Sequence, residues 1–329
     1  MKQHRVFVTG DVHGWHNIDK LNSDNFPVGN TLTKEDIVII CGDAGFVWDG
    51  EAADRRKIHW ISSRPFTTVY CDGNHEGFPL FDQYEKVEFH GAQAHKISDS
   101  LYHIRRGEIM ELDGRKYFFF GGAFSHDREY RTKDYDWFME ELPVQSEYDH
   151  ALDRLAANDF KVDYIITHDV PLKYNLRMGY HGVSPYMMEN YDKSFLNICA
   201  VLQNIHEMTS YTAWFAGHYH VNERLDRLQV LLDDIVEISD NEDGYIMLEN
   251  YVRKTMSRVF TREELKQRLI EEDLYINYNK IGTWKQFGVR DPALKGREFF
   301  DVPVTENELR YVTDLYNWYT VKKATEDVC

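Results

Sequence analysis

Oxygen and imidazole donors of the kind that bind divalent metal ions recur in five short segments of the chain. The segments are Gly10–Gly14 (GDVHG), Gly42–Gly45 (GDAG), Gly73–Glu76 (GNHE), Thr167–Asp169 (THD) and Gly217–His220 (GHYH). Their candidate ligands include no thiolate and are Asp11, His13, Asp43, Asn74, His168, His218 and His220. Carboxylate, amide and imidazole donors together suit Mn, Fe or Zn in expanded coordination. The set therefore indicates a metal centre built from residues that are distant in sequence.

Each of these segments begins where a predicted β-strand ends. Runs rich in Val, Ile, Phe and Tyr predict buried strands at Arg5–Thr9, Asp36–Cys41, Thr67–Cys71, Asp163–Thr167 and Tyr211–Ala216. A helix predicted at Glu51–Ser62, between the second and third strands, produces the βαβ order that is typical of parallel strands. Ligands of such sheets collect outside the carboxyl ends of the strands. We therefore expect the five segments to converge on one point.

Taken singly, each segment has an ordinary structural explanation. Gly-Asp and Gly-His pairs are common in loops, Asn74 could be a left-handed turn residue, and His168 could be a hydrogen-bonded core histidine. Glycine directly before a ligand also fits a sharp turn at which side-chain bulk would crowd a metal. Five such segments in order, each following a strand, favour the metal centre.

The remaining sequence predicts further elements and a division of the chain. Asp113-Gly114 predicts a hairpin between strands Glu108–Leu112 and Lys116–Phe120. We also predict helices at Ser146–Ala157 and Ser194–Ile205. Strands predicted at Leu225–Leu232 and Tyr245–Leu248 are expected to close a second sheet. After residue 249, capping boxes at Thr261-x-x-Glu264 and Thr305-x-x-Glu308 predict helices. We therefore expect one domain over residues 1–249 and a helical C-terminal extension over residues 250–329.

The ordered motifs GDVHG, GDAG, GNHE, HD and GHYH resemble those of the calcineurin-like metallophosphoesterases, over roughly residues 5–250. The resemblance implies a four-layer α/β/β/α sandwich with a dinuclear metal site at the strand ends. It assigns one metal to Asp11, His13 and His220, the second metal to Asn74, His168 and His218, and the bridging position to Asp43. His75 matches the residue that contacts the phosphate and protonates the leaving group. Asp169 is expected either to orient His168 or a neighbour, or only to cap its loop.

The expected cofactors are two divalent ions, with Mn²⁺ as the first choice and Fe, Zn²⁺ or Ni²⁺ as alternatives. Two such ions can clamp the oxygens of an in-line displacement at phosphorus. A water bridging them loses a proton, and the resulting hydroxide is the expected nucleophile. No covalent enzyme intermediate is required.

Two segments depart from the best-known members of this family. The sequence from Gly42 to Asp49 lacks the GDxVDRG continuation of the phosphoprotein phosphatases and dinucleoside tetraphosphatases, which disfavours a protein phosphatase. The segment Gly121–Arg131 (GGAFSHDREYR) follows a predicted strand and carries Arg128 and Arg131. These arginines are candidates for binding a substrate phosphate, since guanidinium groups match phosphate oxygens. The alternative is that both pair with surface carboxylates.

Several aromatic and imidazole side chains follow the ligand segments without an assigned role. The aromatic residues are Trp15, Phe46, Trp48 and Phe78. We expect them to pack under the loops, with stacking on a nucleobase as the alternative. His16, His126 and His181 are expected to lie on the surface or beside the ligands.

The amino-acid composition disfavours several classes of protein. The net charge of −17 disfavours sequence-independent wrapping of nucleic acid, although bound metals would reverse the local charge for a phosphodiester. The sequence contains no run of roughly 18 apolar residues, so it predicts no membrane span. The four cysteines, at positions 41, 71, 199 and 329, show no CxxC pairing. A reducing, cytoplasmic location is therefore expected.

We predict a metal-dependent phosphoester hydrolase that favours phosphodiesters. A phosphomonoesterase using the same site is one alternative. A catalytically weak scaffold of the same fold that binds a protein partner is another, although such a protein should have lost ligands. A dizinc amide or lactone hydrolase is disfavoured because no HxHxDH run occurs. The expected partner is a phosphoester substrate that can carry a nucleoside, and residues 250–329 are a candidate oligomerisation element.

Overall fold

The computed structural model describes residues 4–183, 188–189 and 191–248, together with the backbone of segments 274–278, 284–289 and 297–298. The chain divides into two compact units, Met1–Tyr251 and Val252–Cys329. None of the described helices combines the length and the apolar character that a membrane-spanning segment needs. Cys41, Cys71 and Cys199 are buried free thiols.

The first unit consists mainly of short strands. In chain order they are β1 Val6–Thr9, β2 Ile37–Ile40, β3 Thr67–Tyr70, β4 Glu85–Phe89, β5 Ala92–Ser98, β6 Leu101–Ile104, β7 Glu108–Leu112, β8 Arg115–Phe120, β9 Tyr164–Thr167, β10 Ala213–Ala216, β11 Glu223–Leu225, β12 Leu228–Val230, β13 Ile235–Ile238 and β14 Tyr245–Met247. The described α-helices are α1 Ala52–Ser62, α2 Gln145–Ala156, α3 Leu172–Arg177 and α4 Ile198–Met208. Short 3-10 helices lie at Gly14–His16, Ile18–Leu21, Pro27–Thr31, Phe78–Gln83, Arg128–Tyr130 and Met139–Glu141.

These strands form two mixed sheets. The first sheet has eight strands in the order β14-β13-β1-β2-β3-β6-β5-β4, with β1, β2, β3 and β6 parallel. The second has six strands in the order β11-β12-β10-β9-β8-β7, with β8, β9, β10 and β12 parallel. Each sheet therefore has a central parallel block whose carboxyl ends can carry a site.

Successive side chains along the buried strands point to opposite faces of each sheet, and this alternation builds the four layers. Val8 of β1 and Phe119 of β8 belong to one apolar cluster that draws on both sheets. Phe7, the neighbour of Val8, instead packs in a cluster with Ile61 of α1. On the other side, Trp214 of β10 packs with residues of α2, α3 and α4. Each such fully buried side chain stabilises the fold by about 1.5–3 kcal/mol. The predicted α/β/β/α sandwich is confirmed.

The end of the first unit differs from the expectation in two ways. The predicted strand Leu225–Leu232 is a hairpin of β11 and β12, turning at Asp226 with φ 56°. The predicted strand at Tyr245–Leu248 closes the first sheet rather than the second, because β14 pairs with β13 and β13 pairs with β1. β13 was not predicted from the sequence.

The described part of the C-terminal extension is made of strands. β15 Leu274–Tyr278 pairs antiparallel with β16 Trp284–Val289 and with β17 Arg297–Glu298. These strands were not expected in a segment predicted to be helical. The helices predicted to begin at Thr261 and Thr305 lie outside the described residues.

Candidate active site

The carboxyl ends of five parallel strands place the candidate ligands at one edge of the sandwich. β1, β2 and β3 are neighbours in the first sheet, and β9 and β10 are neighbours in the second. Each strand is fully buried and four residues long, so the chain leaves the core directly into its ligand segment. The convergence expected from the sequence therefore occurs across both sheets.

Left-handed backbone conformations aim several of the donors. His13, Asp43, His218 and His220 have φ values of 48°, 47°, 71° and 52°. Such values are uncommon for residues other than glycine and are kept only where the surrounding structure enforces them. Four of the ten non-glycine residues with positive φ in the described part of the chain are candidate ligands, which supports a functional site at this edge.

Three glycines bring backbone into contact with the donors. A Cβ atom on Gly42 would lie 2.4 Å from His168 Nδ1, and one on Gly217 would lie 2.2 Å from Asp11 Oδ1. A Cβ atom on Gly73 would lie 2.1 Å from Asp43 Oδ1 and 2.3 Å from its backbone nitrogen. These approaches are closer than any side chain allows, so glycine is required by the position of the donors.

Gly73→Ala is expected to lower turnover at least tenfold and to weaken metal binding, because the added methyl group must displace the Asp43 carboxylate. Overpacking of this kind costs about 1–3 kcal/mol of stability. Gly114→Ala is the matched control, since Gly114 has φ 77° but no neighbour within 4 Å of the added carbon. The control should lose stability and keep its activity. Equal turnover for Gly73→Ala and the wild type would contradict the role of Gly73.

Asp11, His13 and His220 form one donor cluster. The Nε2 atoms of His13 and His220 are 3.1 Å apart, and His220 Nε2 lies 3.4 Å from Asp11 Oδ2. Two imidazole nitrogens facing each other beside a carboxylate present their lone pairs to a shared space. This arrangement fits a divalent cation.

Asp43 lies between this cluster and a second group of donors. Its Oδ2 is 3.5 Å from His13 Nε2, and its Oδ1 is 3.3 Å from His168 Nε2. His168 Nε2 is in turn 3.2 Å from Asn74 Oδ1. The His218 ring centroid lies 5.1 Å from that of His168. Asp43 therefore faces donors on two sides, and it also forms a second donor cluster with His13 and His75, whose ligand atoms lie within 4.8 Å of one another.

The electrostatics of the site favour positive charge. Burial lowers the pKa of His13 to about 4, so this imidazole is neutral, the form that binds metals. Burial opposes ionisation of Asp43, but the imidazoles of His168, His75 and His13 hold its pKa well below the usual value. Against burial, Asp43 and Asp11 raise the pKa of His168 to about 10. Two buried carboxylates thus draw a cation into the site.

Partners outside the donor set orient two ligands. His168 Nδ1 lies 2.7 Å from the carbonyl oxygen of Cys41, which leaves Nε2 facing the site. Asn74 Nδ2 donates to Ser125 Oγ at 3.0 Å, and Ser125 Oγ donates to Glu141 Oε2 at 2.5 Å. This chain fixes the amide of Asn74 with its oxygen toward the donors. Ser125 and Glu141 were not predicted, although Ser125 follows the Gly121-Gly122 pair noted in the sequence.

Asp169 acts on the loop of β10 rather than on the ring of His168. Its Oδ1 accepts hydrogen bonds from the Tyr219 hydroxyl and from the backbone N–H of Val170, the latter at 2.7 Å. Tyr219 stands between His218 and His220 in the sequence. Asp169 therefore holds the loop that presents two candidate ligands.

His75 lies beside the donors and touches Arg131. Its backbone N–H donates to Asp43 Oδ1 at 2.8 Å. Arg131 Nη2 is 3.2 Å from His75 Nε2, while the same guanidinium pairs with Asp127 at 2.8 Å. Burial lowers the pKa of His75, and Arg131 lowers it further against the effect of Asp43. An imidazole and a guanidinium are thus placed together at the edge of the site.

The two arginines proposed as phosphate ligands have different surroundings. Arg128 lies over the rings of Phe124 and Tyr191, at 4.6 and 5.2 Å, rather than against His75. His126, expected on the surface or beside a ligand, stacks on His218 with ring centroids 5.6 Å apart. The structure therefore brings Arg131 to His75 and keeps Arg128 among aromatic rings.

The four aromatic residues near the ligand segments also differ. Phe46 is fully buried, and Phe78 packs against the same core cluster. Trp48 tilts toward His75, with ring centroids 6.3 Å apart. Trp15 is 47% exposed. Packing explains the two phenylalanines and leaves Trp15 without a structural role in the core.

Two buried lysines support the ligand loops and were not predicted. Lys20 Nζ donates to the carbonyl oxygens of Gly10, Asp11 and Leu232 at 2.8, 2.7 and 2.6 Å. Lys57 Nζ donates to the carbonyl oxygen of Gly45 at 2.5 Å. Each lysine thereby fixes backbone next to a candidate ligand.

Solved structures similar to this chain are distant. A cold-active protein-tyrosine phosphatase of a psychrophilic Shewanella species shares 14% identity, with 75% of this chain and 81% of that chain covered and a TM-score of 0.29. The sulfate thiohydrolase SoxB of Thermus thermophilus, in complex with glycerol, shares 10% identity, with 84% and 62% covered and a TM-score of 0.37. Neither likeness is close enough to inform function. No curated protein matches the chain.

The sequence profile of the calcineurin-like phosphoesterases matches residues 4–222, well over half of the chain. The matched range contains all five ligand segments. The family implies a dinuclear divalent metal site, and the donor clusters described above fit one. The chain belongs to the calcineurin-like phosphoesterase family, whose members are metal-dependent hydrolases of phosphoesters.

Proposed function

We propose that the chain is a phosphodiesterase with a dinuclear metal site. One ion would be held by Asp11, His13 and His220, the other by Asn74, His168 and His218, with Asp43 shared. The observation that carries the proposal is the position of Asp43, whose two oxygens face His13 and His168 at 3.5 and 3.3 Å. A scaffold without activity would not need this shared carboxylate.

The bound ions would activate a water for in-line attack at phosphorus and neutralise charge on the phosphate oxygens. The residues of the chain supply positioning and a proton. In the structure His75 Nε2 accepts from Arg131 Nη2, so His75 would protonate the leaving oxygen only after a bound phosphate takes over that guanidinium and favours the protonated imidazole. Arg131, 3.2 Å from that nitrogen, is placed to bind a phosphate oxygen.

Mn²⁺ is the metal that we propose first. The donor set holds imidazole, carboxylate and amide groups and no thiolate, which is consistent with Mn²⁺ and with Fe or Zn²⁺. We further propose that residues 1–249 form the catalytic domain and that residues 250–329 serve interaction. Removing residues 250–329 and measuring turnover and oligomeric state tests this division.

Preference for diesters follows from charge. The GDxVDRG arginine is absent, and the charge of Arg131 is partly offset by its ion pair with Asp127 at 2.8 Å. A monoester dianion would meet stronger repulsion from a chain of net charge −17 than a diester monoanion. Phosphomonoesterase activity at the same site remains the second candidate, favoured by the contact of Arg131 with His75.

A matched pair of aryl phosphomonoester and aryl phosphodiester tests this proposal. In the presence of Mn²⁺ and at low salt, kcat/KM for the diester is expected to equal or exceed that for the monoester. A tenfold preference for the monoester, about 1.4 kcal/mol in transition-state binding, would overturn the proposal. If Arg131→Ala lost this monoester preference and Arg128→Ala kept it, the preference would be assigned to the Arg131 guanidinium beside His75.

A further inference from the structure

A basic and aromatic cleft adjoins the loop that carries His13. The cleft is open and about 590 Å³ in volume, and its lining includes Trp15, Arg55, Arg56, His59 and Trp60. No carboxylate occurs among its described lining residues. In a chain with net charge −17, a cleft of this size lined only by basic and neutral groups stands apart from the average surface.

The cleft is held in a fixed position relative to the candidate metal site. Trp15 follows His13 by two residues, and a Cβ atom on Gly14 would lie 2.7 Å from Lys57 Cδ of α1. Lys57 also binds the carbonyl oxygen of Gly45 and pairs with Asp54 at 2.7 Å. The His13 loop, the Asp43 loop and α1 are therefore tied together, so the cleft keeps a fixed position relative to the two ligand segments.

The guanidinium groups of the cleft are available to an anion. Arg55 and Arg56 are exposed, and neither forms an ion pair with a carboxylate within the described part of the chain. Arg55 Nη1 donates only to a backbone carbonyl oxygen, that of Gly50, at 3.0 Å. Asp54, the nearby acid on α1, is buried and accepts from backbone N–H groups besides Lys57. The cleft lining itself is therefore basic, although the acids Asp49 and Glu51 precede α1 in the sequence.

One aromatic group of the cleft is exposed to solvent, and the other is partly covered. Trp15 is 47% exposed. Trp60 packs partly against the core, and the guanidinium of Arg64 lies 4.3 Å from its ring centroid. Indole rings interleaved with guanidinium groups are the surface on which single-stranded nucleic acids bind, because bases stack on the rings and phosphates pair with the cations.

We propose that this cleft binds the nucleotides that flank the scissile phosphate of a short single-stranded nucleic acid. The inference rests on the proposed phosphodiesterase function and names its substrate class. Trp15 would stack on a base, and Arg55 and Arg56 would pair with flanking phosphates. The substrate is short because the acidic remainder of the surface repels a long polyanion.

The test compares kcat/KM, with Mn²⁺ present, for a five-nucleotide single-stranded DNA and for an aryl phosphodiester without a nucleoside. The loss caused by Trp15→Ala or Arg56→Ala is expected to be at least tenfold greater for the oligonucleotide than for the aryl diester. Added salt should lower kcat/KM for the oligonucleotide less steeply in Arg56→Ala than in the wild type, because one phosphate contact is missing. Arg105→Ala, at an exposed arginine outside the cleft, is the matched control and should leave the ratio unchanged.

Several outcomes would overturn the inference. Equal losses on both substrates would show that the cleft does not select nucleotides. A greater loss on a phosphorylated acidic peptide would show that it recognises protein. A wild type that cleaves the aryl diester and not the oligonucleotide would refute the inference alone, whereas a wild type that cleaves neither would refute the proposed function and the inference with it.

Discussion

Asp43→Asn is expected to abolish turnover and to leave at most one metal ion per chain. Asp43 is the carboxylate that faces both donor groups, at 3.5 Å from His13 Nε2 and 3.3 Å from His168 Nε2. The amide is nearly the same size but carries no charge, so both positions lose attraction for a cation. The metals stabilise the transition state, and losing several kcal/mol of that stabilisation lowers kcat by about 10³-fold or more. Metal analysis of the purified variant, with turnover of an aryl phosphodiester, measures both effects.

The control for this variant is Asp113→Asn. Asp113 carries the same group in a left-handed turn with φ 52°, but its partner is His4, away from the donors. It should keep two metals and normal turnover. Thermal unfolding of Asp43→Asn checks that the protein is folded. A folded Asp43→Asn variant that holds two metals and turns over normally would refute the assignment of Asp43.

His75→Ala is expected to keep both metals and to lose turnover by about 10²–10⁴-fold, the usual contribution of a general acid. The side chain of His75 lies 3.2 Å from Arg131, while its hydrogen bond to Asp43 is donated by the backbone N–H, which alanine retains. The loss should be smallest for aryl esters whose leaving group is a weak base, because such a group departs without a proton. Turnover across a series of aryl leaving groups measures this dependence.

His181→Ala is the matched control, since His181 is exposed. An equal loss for His75→Ala across all leaving groups would leave an electrostatic role and contradict proton donation. Loss of both metals in His75→Ala would instead place His75 among the ligands.

The sequence predicted the parts of the site that depend on local order. A buried four-residue strand ends at Thr9 or Ile40, and the next few residues must leave the sheet edge, so Asp11 and Asp43 could be located without a structure. The left-handed φ values of His13 and Asp43 follow from the same abrupt exit. Each ligand segment lies within a few residues of the strand before it, so the predicted end of the strand locates the ligands.

The supporting contacts could not be predicted in this way. Asn74 and Ser125 are 51 residues apart, and Arg131 meets His75 across 56 residues. Lys20 carries no signal that it ends buried against the carbonyl oxygens of Gly10 and Asp11. The place of β13 in the first sheet could not be predicted, because its pairing with β1 joins residues more than 200 positions apart, as Phe7 with Glu237. Such contacts depend on how the sheets are assembled, which local patterns do not encode.

Stepwise addition of Mn²⁺ to the metal-free, full-length protein, with turnover of an aryl phosphodiester followed at each step, tests the central claim most directly. The proposed dinuclear site predicts negligible turnover without metal and a rise that levels off at two ions per chain. It also predicts that Asp43→Asn shows no such rise at the same concentrations. Full turnover by the metal-free protein, or saturation at a single ion, would contradict a dinuclear phosphodiesterase.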